Sequence, residues 1–116
     1  MHIVHCLIEL HNDARALAFA AAAEQWLSHL QDRGLIAGWR LMRRTLGLAA
    51  GAHTDFILEI TLKDFAALDD IFTRLAAADD ESVRRYDLMH QQIARADSGL
   101  YRSFPDPHGC ERIALI

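Results

Sequence analysis

The hydrophobic period of this chain changes in a fixed order, and that order limits the fold more than any other feature. Residues 2–10 (HIVHCLIEL) repeat every second position around Val4, Cys6, Ile8 and Leu10. Alternation with β-branched residues in it predicts a strand. The period then lengthens: Phe19, Ala23, Trp26, Leu27 and Leu30 recur at helical spacing within NDARALAFAAAAEQWLSHLQDRG. Asn12 or Asp13 suits the N-cap of that helix, and Gly34 its left-handed C′ position. Period two returns at residues 36–46 and again in DFILEITLK, with the small-residue stretch GLAAGAHT between them. Helical spacing comes back in DFAALDDIFTRLAAA through Leu68, Ile71, Phe72 and Leu75. DDES interrupts it, and Asp79 or Asp80 is placed to cap a further helix carrying Val83, Tyr86, Met89 or His90, and Ile93. SGLYRSF predicts a last strand, which PDPHG ends because proline donates no ladder hydrogen bond.

The order is β-α-β-β-α-(α)-β. Un-knotted, right-handed connections fold that order as an α+β, ferredoxin-like unit: a four-stranded antiparallel sheet with its helices on one face. A length of 116 residues suits one domain. We expect it to occupy residues 1–107, with 108–116, including ERIALI, as a tail that packs on a partner subunit.

Such a sheet leaves its second face uncovered, so each strand was sorted by face. On β-strand parity the helix-covered side takes Val4, Cys6, Ile8 and Leu10, then Trp39 and Leu41, then Phe56, Leu58, Ile60 and Leu62. Arg43 falls on that side near the sheet end, where its stem reaches water. The open side takes His5, Glu9, Arg40, Arg44, Glu59 and Thr61, mixed with Ile3, Leu7, Met42 and Ile57. In the last strand Tyr101 is assigned to the open side, because Leu100 and Phe104 make better core residues. Matching faces between strands sets Met42 opposite Glu59, with Arg40 and Arg44 as its diagonal neighbours, so Glu59 is expected between two arginines. This face is too apolar for free solvent and too charged for a dry core. Two copies packed sheet to sheet across a two-fold axis enclose such a face as a half-wet lumen.

Composition excludes several classes. Sixteen Asp and Glu against twelve Lys and Arg give a net charge of −4, without the basic surplus of a general phosphate binder. RNA-binding sheets of this topology stack bases on aromatics of their central strands, and His5, Leu7, Ile57 and Glu59 supply no such pair. No apolar run approaches the ~20 residues a membrane helix needs, and MHIVHCLIEL lacks the basic region and cleavage site of a secretory leader. Cys6 and Cys110 form neither a disulfide framework nor a zinc pattern. These features lead us to expect a reduced, cytoplasmic protein with no nucleic-acid or membrane partner, and abundant Ala, Leu and Arg fit a bacterial source.

MHIVHC, GLIAGWRLMRRTLGL and LYRSFPDP together resemble a small family of bacterial proteins known as a domain of unknown function, within the dimeric α/β-barrel superfamily. The resemblance runs from residue 1 to about Pro107. It implies a homodimer whose two sheets form a barrel. Members of that superfamily include cofactor-free monooxygenases of aromatic or polyketide substrates, haem-degrading enzymes, lactone isomerases and stress-induced proteins, and fold alone does not choose among them. The matching positions are His5, Arg40, Arg44, Tyr101 and His90. Leu7 departs from the family, where that position is often polar, and this weakens a site built on the first strand.

The residues themselves favour some chemistries over others. His2 and His5 point to opposite faces of one strand, while His5 and Glu9 share a face but are ~13 Å apart at ~3.3 Å per residue; neither pair chelates a metal alone. We therefore expect no metal and no cofactor. His5 suits a general base in a semi-enclosed lumen. Arg40 and Arg44 suit a carboxylate, enolate or phenolate, and Tyr101 a donor to a substrate oxygen. Glu9, Glu59 and the helix residue His90, near Tyr86, complete the candidate set. The expected function is binding of a small anionic or oxygen-rich molecule in the lumen, with cofactor-independent oxygenation or isomerisation as the chemistry. The alternative is a non-catalytic dimeric or stress-response module whose polar lumen only balances charge.

Overall fold

The alternating N-terminal segment forms strand β1, His2–Leu10, at the centre of the sheet. A computed structural model of the chain describes residues 2–46, 54–76 and 80–105. After β1 come a 3-10 turn, Asp13–Arg15, and helix α1, Ala16–Asp32. Strands β2, Gly38–Arg43, and β3, Phe56–Leu62, follow. Helices α2, Ala66–Ala76, and α3, Asp80–His90, then lead to strand β4, Ile93–Arg102. Strand order is β2-β3-β1-β4 with every neighbouring pair antiparallel, the ferredoxin-like arrangement expected from the sequence.

Local chemistry explains where the helices start and stop. Asn12 accepts a hydrogen bond from the Ala14 amide at 3.0 Å, satisfying one of the free donors at the entry to α1. At the exit, Gly34 takes a φ of +73°. The Gly34 amide reaches the Gln31 carbonyl at 3.0 Å, and the Leu35 amide reaches Leu30 at 3.0 Å. That pair of bonds is a Schellman closure, which requires the left-handed conformation glycine adopts without strain. Asp64 caps α2 by accepting from the Ala67 amide at 2.9 Å. α2 and α3 are described as separate helices; residues 77–79 between them, with the proposed cap Asp79, lie outside the described residues, as do the tail and Cys110.

The apolar stripe of α1 is buried as its spacing requires: Phe19, Ala23, Trp26, Leu27 and Leu30 all join the core. They pack on Ile8, Leu10, Phe56, Leu58 and Leu62 from the sheet, with Ile71 of α2 and Met89 of α3. Phe72 and Leu75 of the α2 stripe lie outside the residues whose side chains are described. A polar clasp ties α3 to α1: buried Ser82 meets His29 Nε2 at 2.7 Å and receives a bond from Arg33 Nη1 at 3.1 Å.

Several sequence expectations need correction. Met42 lies opposite Ile57, and it is Arg40 that lies opposite Glu59. The expected alignment was therefore two residues out, a slip that leaves every side chain on the expected face. The second strand ends at Arg43, not Leu46, so Arg44 leaves the ladder after its amide bonds the Asp55 carbonyl at 2.9 Å. The last strand begins at Ile93, five residues before SGLYRSF. Ile93 sits at helical spacing from Met89, but α3 stops at His90 and Ile93 pairs with Leu10 across the sheet.

Candidate functional site

The two sheet faces present different chemistry. On the open face one transverse row crosses all four strands: Arg40 opposite Glu59, Glu59 opposite His5, and His5 opposite Gly99. Arg40 Nε donates to Glu59 Oε1 at 3.0 Å, and Nη2 closes on the same oxygen. Tyr101, two residues beyond Gly99, folds back over it and meets the His5 ring edge-on, with centroids 5.8 Å apart. Gly99 makes this possible: a methyl there would lie 2.9 Å from Tyr101 Cε2. Tyr101 stands on the open side as expected, with 61% of its surface exposed, but Leu100 and Phe104, expected in the core, are themselves exposed.

The other open-face charges are balanced in pairs. Arg44 lies 3.9 Å from Asp55 and not beside Glu59, which corrects the expectation of a carboxylate between two arginines. Arg95 lies 3.4 Å from Glu9 and 3.9 Å from Asp97. Arg95 was not among the expected open-face residues, because the last strand was expected to begin only at Ser98. Arg43 escapes the core side as expected and sits 3.6 Å from Asp13. Leu7, Met42, Arg44 and Ile57 border a hollow of about 260 Å³ at one end of this face.

The helix-covered face holds an apolar cavity of about 230 Å³ between the sheet and all three helices. Val4, Cys6 and Leu58 form its sheet side, and Trp26, Tyr86 and His90 an aromatic corner. Tyr86 and His90 are four residues apart on α3 and so share one face of it. Their rings stack with centroids 3.7 Å apart, and Trp26 meets them edge-on at 5.3 and 5.8 Å. Of the candidates read from the sequence, His90 alone reaches this cavity; His5, Glu9, Arg40, Arg44, Glu59 and Tyr101 belong to the opposite side of the sheet.

His90 is chemically poised. Its Nδ1 lies 3.0 Å from the Tyr86 carbonyl oxygen, which only accepts, so Nδ1 carries the proton and Nε2 of the neutral ring keeps its lone pair. Desolvation pushes its pKa below the usual histidine value, against the smaller opposing pull of the Tyr86 carbonyl and the Asp87 carboxylate. The ring is therefore neutral at pH 7, a base held in an apolar pocket. Ser98 Oγ donates to Cys6 Sγ at 3.3 Å on the sheet side of the same cavity. Among the described residues no group of three or more His, Cys, Asp and Glu side chains is gathered to hold a metal ion.

A family described as a family of unknown function, DUF6614, matches residues 1–116. The chain belongs to DUF6614. No match to a curated protein was found for this DUF6614 member. Among solved structures it is similar to the At3g17210 protein of Arabidopsis thaliana, with a TM-score of 0.72 at 7% identity, covering 91% of this chain and 98% of that one. It is also similar to a dimeric ferredoxin-like protein of unknown function from Jannaschia sp. CCS1, with a TM-score of 0.62 at 13% identity over 89% and 100% of the two chains. A third is SnoaB, a cofactor-independent oxygenase from Streptomyces nogalater, with a TM-score of 0.57 at 12% identity over 90% and 96%. At these identities the likeness establishes the fold of the DUF6614 chain and no more. No described helix in it is long and apolar enough to cross a membrane.

Proposed function

We propose that this DUF6614 protein is a homodimer that binds a small, mostly apolar, oxygen-bearing organic molecule in the cavity between sheet and helices. There His90 acts as a base in cofactor-independent chemistry. The observation that carries this reading is the neutral imidazole at the aromatic corner of the cavity, its tautomer set by the Tyr86 carbonyl. Small-molecule sites are typically apolar concavities with a few placed polar groups, and a perturbed base among them is the usual mark of chemistry.

The step is a proton transfer. His90 Nε2 takes a proton from an acidic C–H or O–H of the ligand, leaving an enolate or phenolate whose charge the new imidazolium balances. Return of that proton to a different carbon is isomerisation. Reaction of the carbanion with dioxygen converts a CH₂ to C=O, with the second oxygen leaving as water; this is the class in which the similar SnoaB is named.

The sequence pointed to a lumen ligand on the open face, with His5 as base and Arg40 and Arg44 as anion holders. We now read that face as the dimer interface. Arg40, Arg44 and Arg95 each have a carboxylate partner, which supports a charge-balanced contact surface. Similar proteins of this fold are described as dimeric, which supports self-association.

The test uses 2-tetralone, a bicyclic ketone with an acidic carbon between its aromatic ring and its carbonyl. In deuterated buffer the protein is expected to accelerate deuterium exchange at that carbon, followed by NMR, without added metal or cofactor. His90→Gln should return the rate to that of buffer. Exchange that persists at the wild-type rate in His90→Gln would sink the assignment of the base.

A further inference from the structure

A further hollow, of about 310 Å³, lies where the end of β1, the entry to α1 and the turn from α3 to β4 come together. His11, Asn12, Arg15, Gln91 and Gln92 line it, and it shares none of them with the cavity that holds His90. All five are polar and none is a carboxylate. Arg40, Arg43, Arg44, Arg84, Arg85 and Arg95 each lie beside a carboxylate, whereas Arg15 has no such partner among the described residues. The chain carries sixteen acidic and twelve basic side chains, so an arginine left unpaired in a concave setting points to an anion from outside.

The acceptors around this hollow are already used. Asn12 Oδ1 takes the Ala14 amide at 3.0 Å, and the Asn12 carbonyl takes the Arg15 amide at 3.0 Å. The Gln92 carbonyl accepts from the His11 amide at 3.1 Å, and the Leu88 carbonyl from Gln92 Nε2 at 3.3 Å. Gln92 Oε1 is buried and so does not meet a ligand there. Glu9 and Asp13, the carboxylates nearest in sequence, face Arg95 and Arg43. What remains is rich in donors: the Arg15 guanidinium, Asn12 Nδ2, the His11 ring and the Gln91 amide. The bond between His11 and Gln92 also ties the segments together, so the donors stand on a fixed frame.

We propose that this hollow binds the phosphate group of a small hydrophilic molecule. Arg15 holds two phosphate oxygens through paired N–H groups, and Asn12, His11 and Gln91 donate to the rest. A phosphate suits donors arriving from three segments because its oxygens point in three dimensions, whereas those of a carboxylate share one plane. The volume exceeds that of phosphate alone, and the polar lining selects a hydrophilic remainder. This site is independent of the cavity beside His90, and the failure of either assignment leaves the other standing.

The experiment titrates the full ¹⁵N-labelled chain, followed by NMR, with glycerol 3-phosphate, inorganic phosphate, acetate and chloride at one ionic strength. Both phosphates should shift the Arg15 Nε–H and the Asn12 and Gln91 side-chain amides saturably. Tighter binding of glycerol 3-phosphate assigns a phosphate ester, and equal binding assigns free phosphate. Arg15 is exposed, so its replacement spares the core. Arg15→Gln should weaken phosphate binding by about tenfold. Lys63→Gln makes the same change of charge beyond the Leu62 end of β3, which pairs with the start of β1, and should leave binding as it was. Equal losses in the two variants would reduce the effect to net charge and overturn the proposal. Shifts of the same size with chloride or acetate, or no saturable shift with either phosphate, would overturn it as well.

Discussion

His90 is desolvated at the cavity corner, so the charged form is penalised and its pKa falls below the unfolded value. The unfolded chain therefore binds more protons than the native one as pH drops through the gap between the two values. Stability from the neutral ring is complete above about pH 6.5 and is lost as pH falls through the depressed value. His90→Gln is expected to flatten the dependence of urea midpoint on pH in that window, read by circular dichroism between pH 5 and 7. An unchanged slope would show that the burial of His90 does not matter to the ionised form. At this scale the sequence was partly readable. The spacing of Tyr86 and His90 places them on one helix face, but the void they border arises from three helices meeting a sheet, which no local pattern encodes.

Elements were readable where periodicity is unambiguous. Strand parity assigned His5, Arg40 and Glu59 correctly to the open face, because a period of two admits only two answers. Register was not, because a two-residue slip preserves parity, and the pairing of Arg40 with Glu59 rather than of Met42 with Glu59 depends on where β3 meets β2. The start of β4 was missed because Ile93 satisfies the helical and the strand pattern alike. Between elements, the Ser82 clasp couples the first turn of α3 to the last turns of α1 and so holds one wall of the cavity. Ser82→Ala leaves His29 and Arg33 without that hydroxyl, at a cost of about 1–3 kcal/mol. The expected result is a lower urea midpoint together with faster amide exchange in α3 than in the strands. Uniform exchange across the whole chain would mean that the clasp has no local role.

For the whole molecule, the open face is the surface proposed for self-association. It carries Ile3, Leu7, Met42 and Ile57 half-buried on one side of a sheet whose other side is already covered. Placing a carboxylate among them, as in Ile57→Asp, leaves the helix-side core untouched and puts an unpaired charge in the proposed interface. The wild type is expected to elute as a dimer by light scattering, and Ile57→Asp as a monomer with an unchanged far-ultraviolet spectrum. A wild-type monomer would overturn the barrel.

Because β1 runs through the middle of the sheet, its neighbouring residues serve opposite compartments: Cys6 borders the cavity, while His5 and Leu7 stand on the open face. Gaining or losing one residue inside β1 would exchange these roles along the rest of the strand, sending a thiol outward and an imidazole inward. A single inserted or deleted residue inside β1 is therefore expected to disturb the fold more than a substitution does, unless a bulge absorbs it. Length variation belongs instead in the connections beyond the strand ends, such as the stretch that joins β2 to β3.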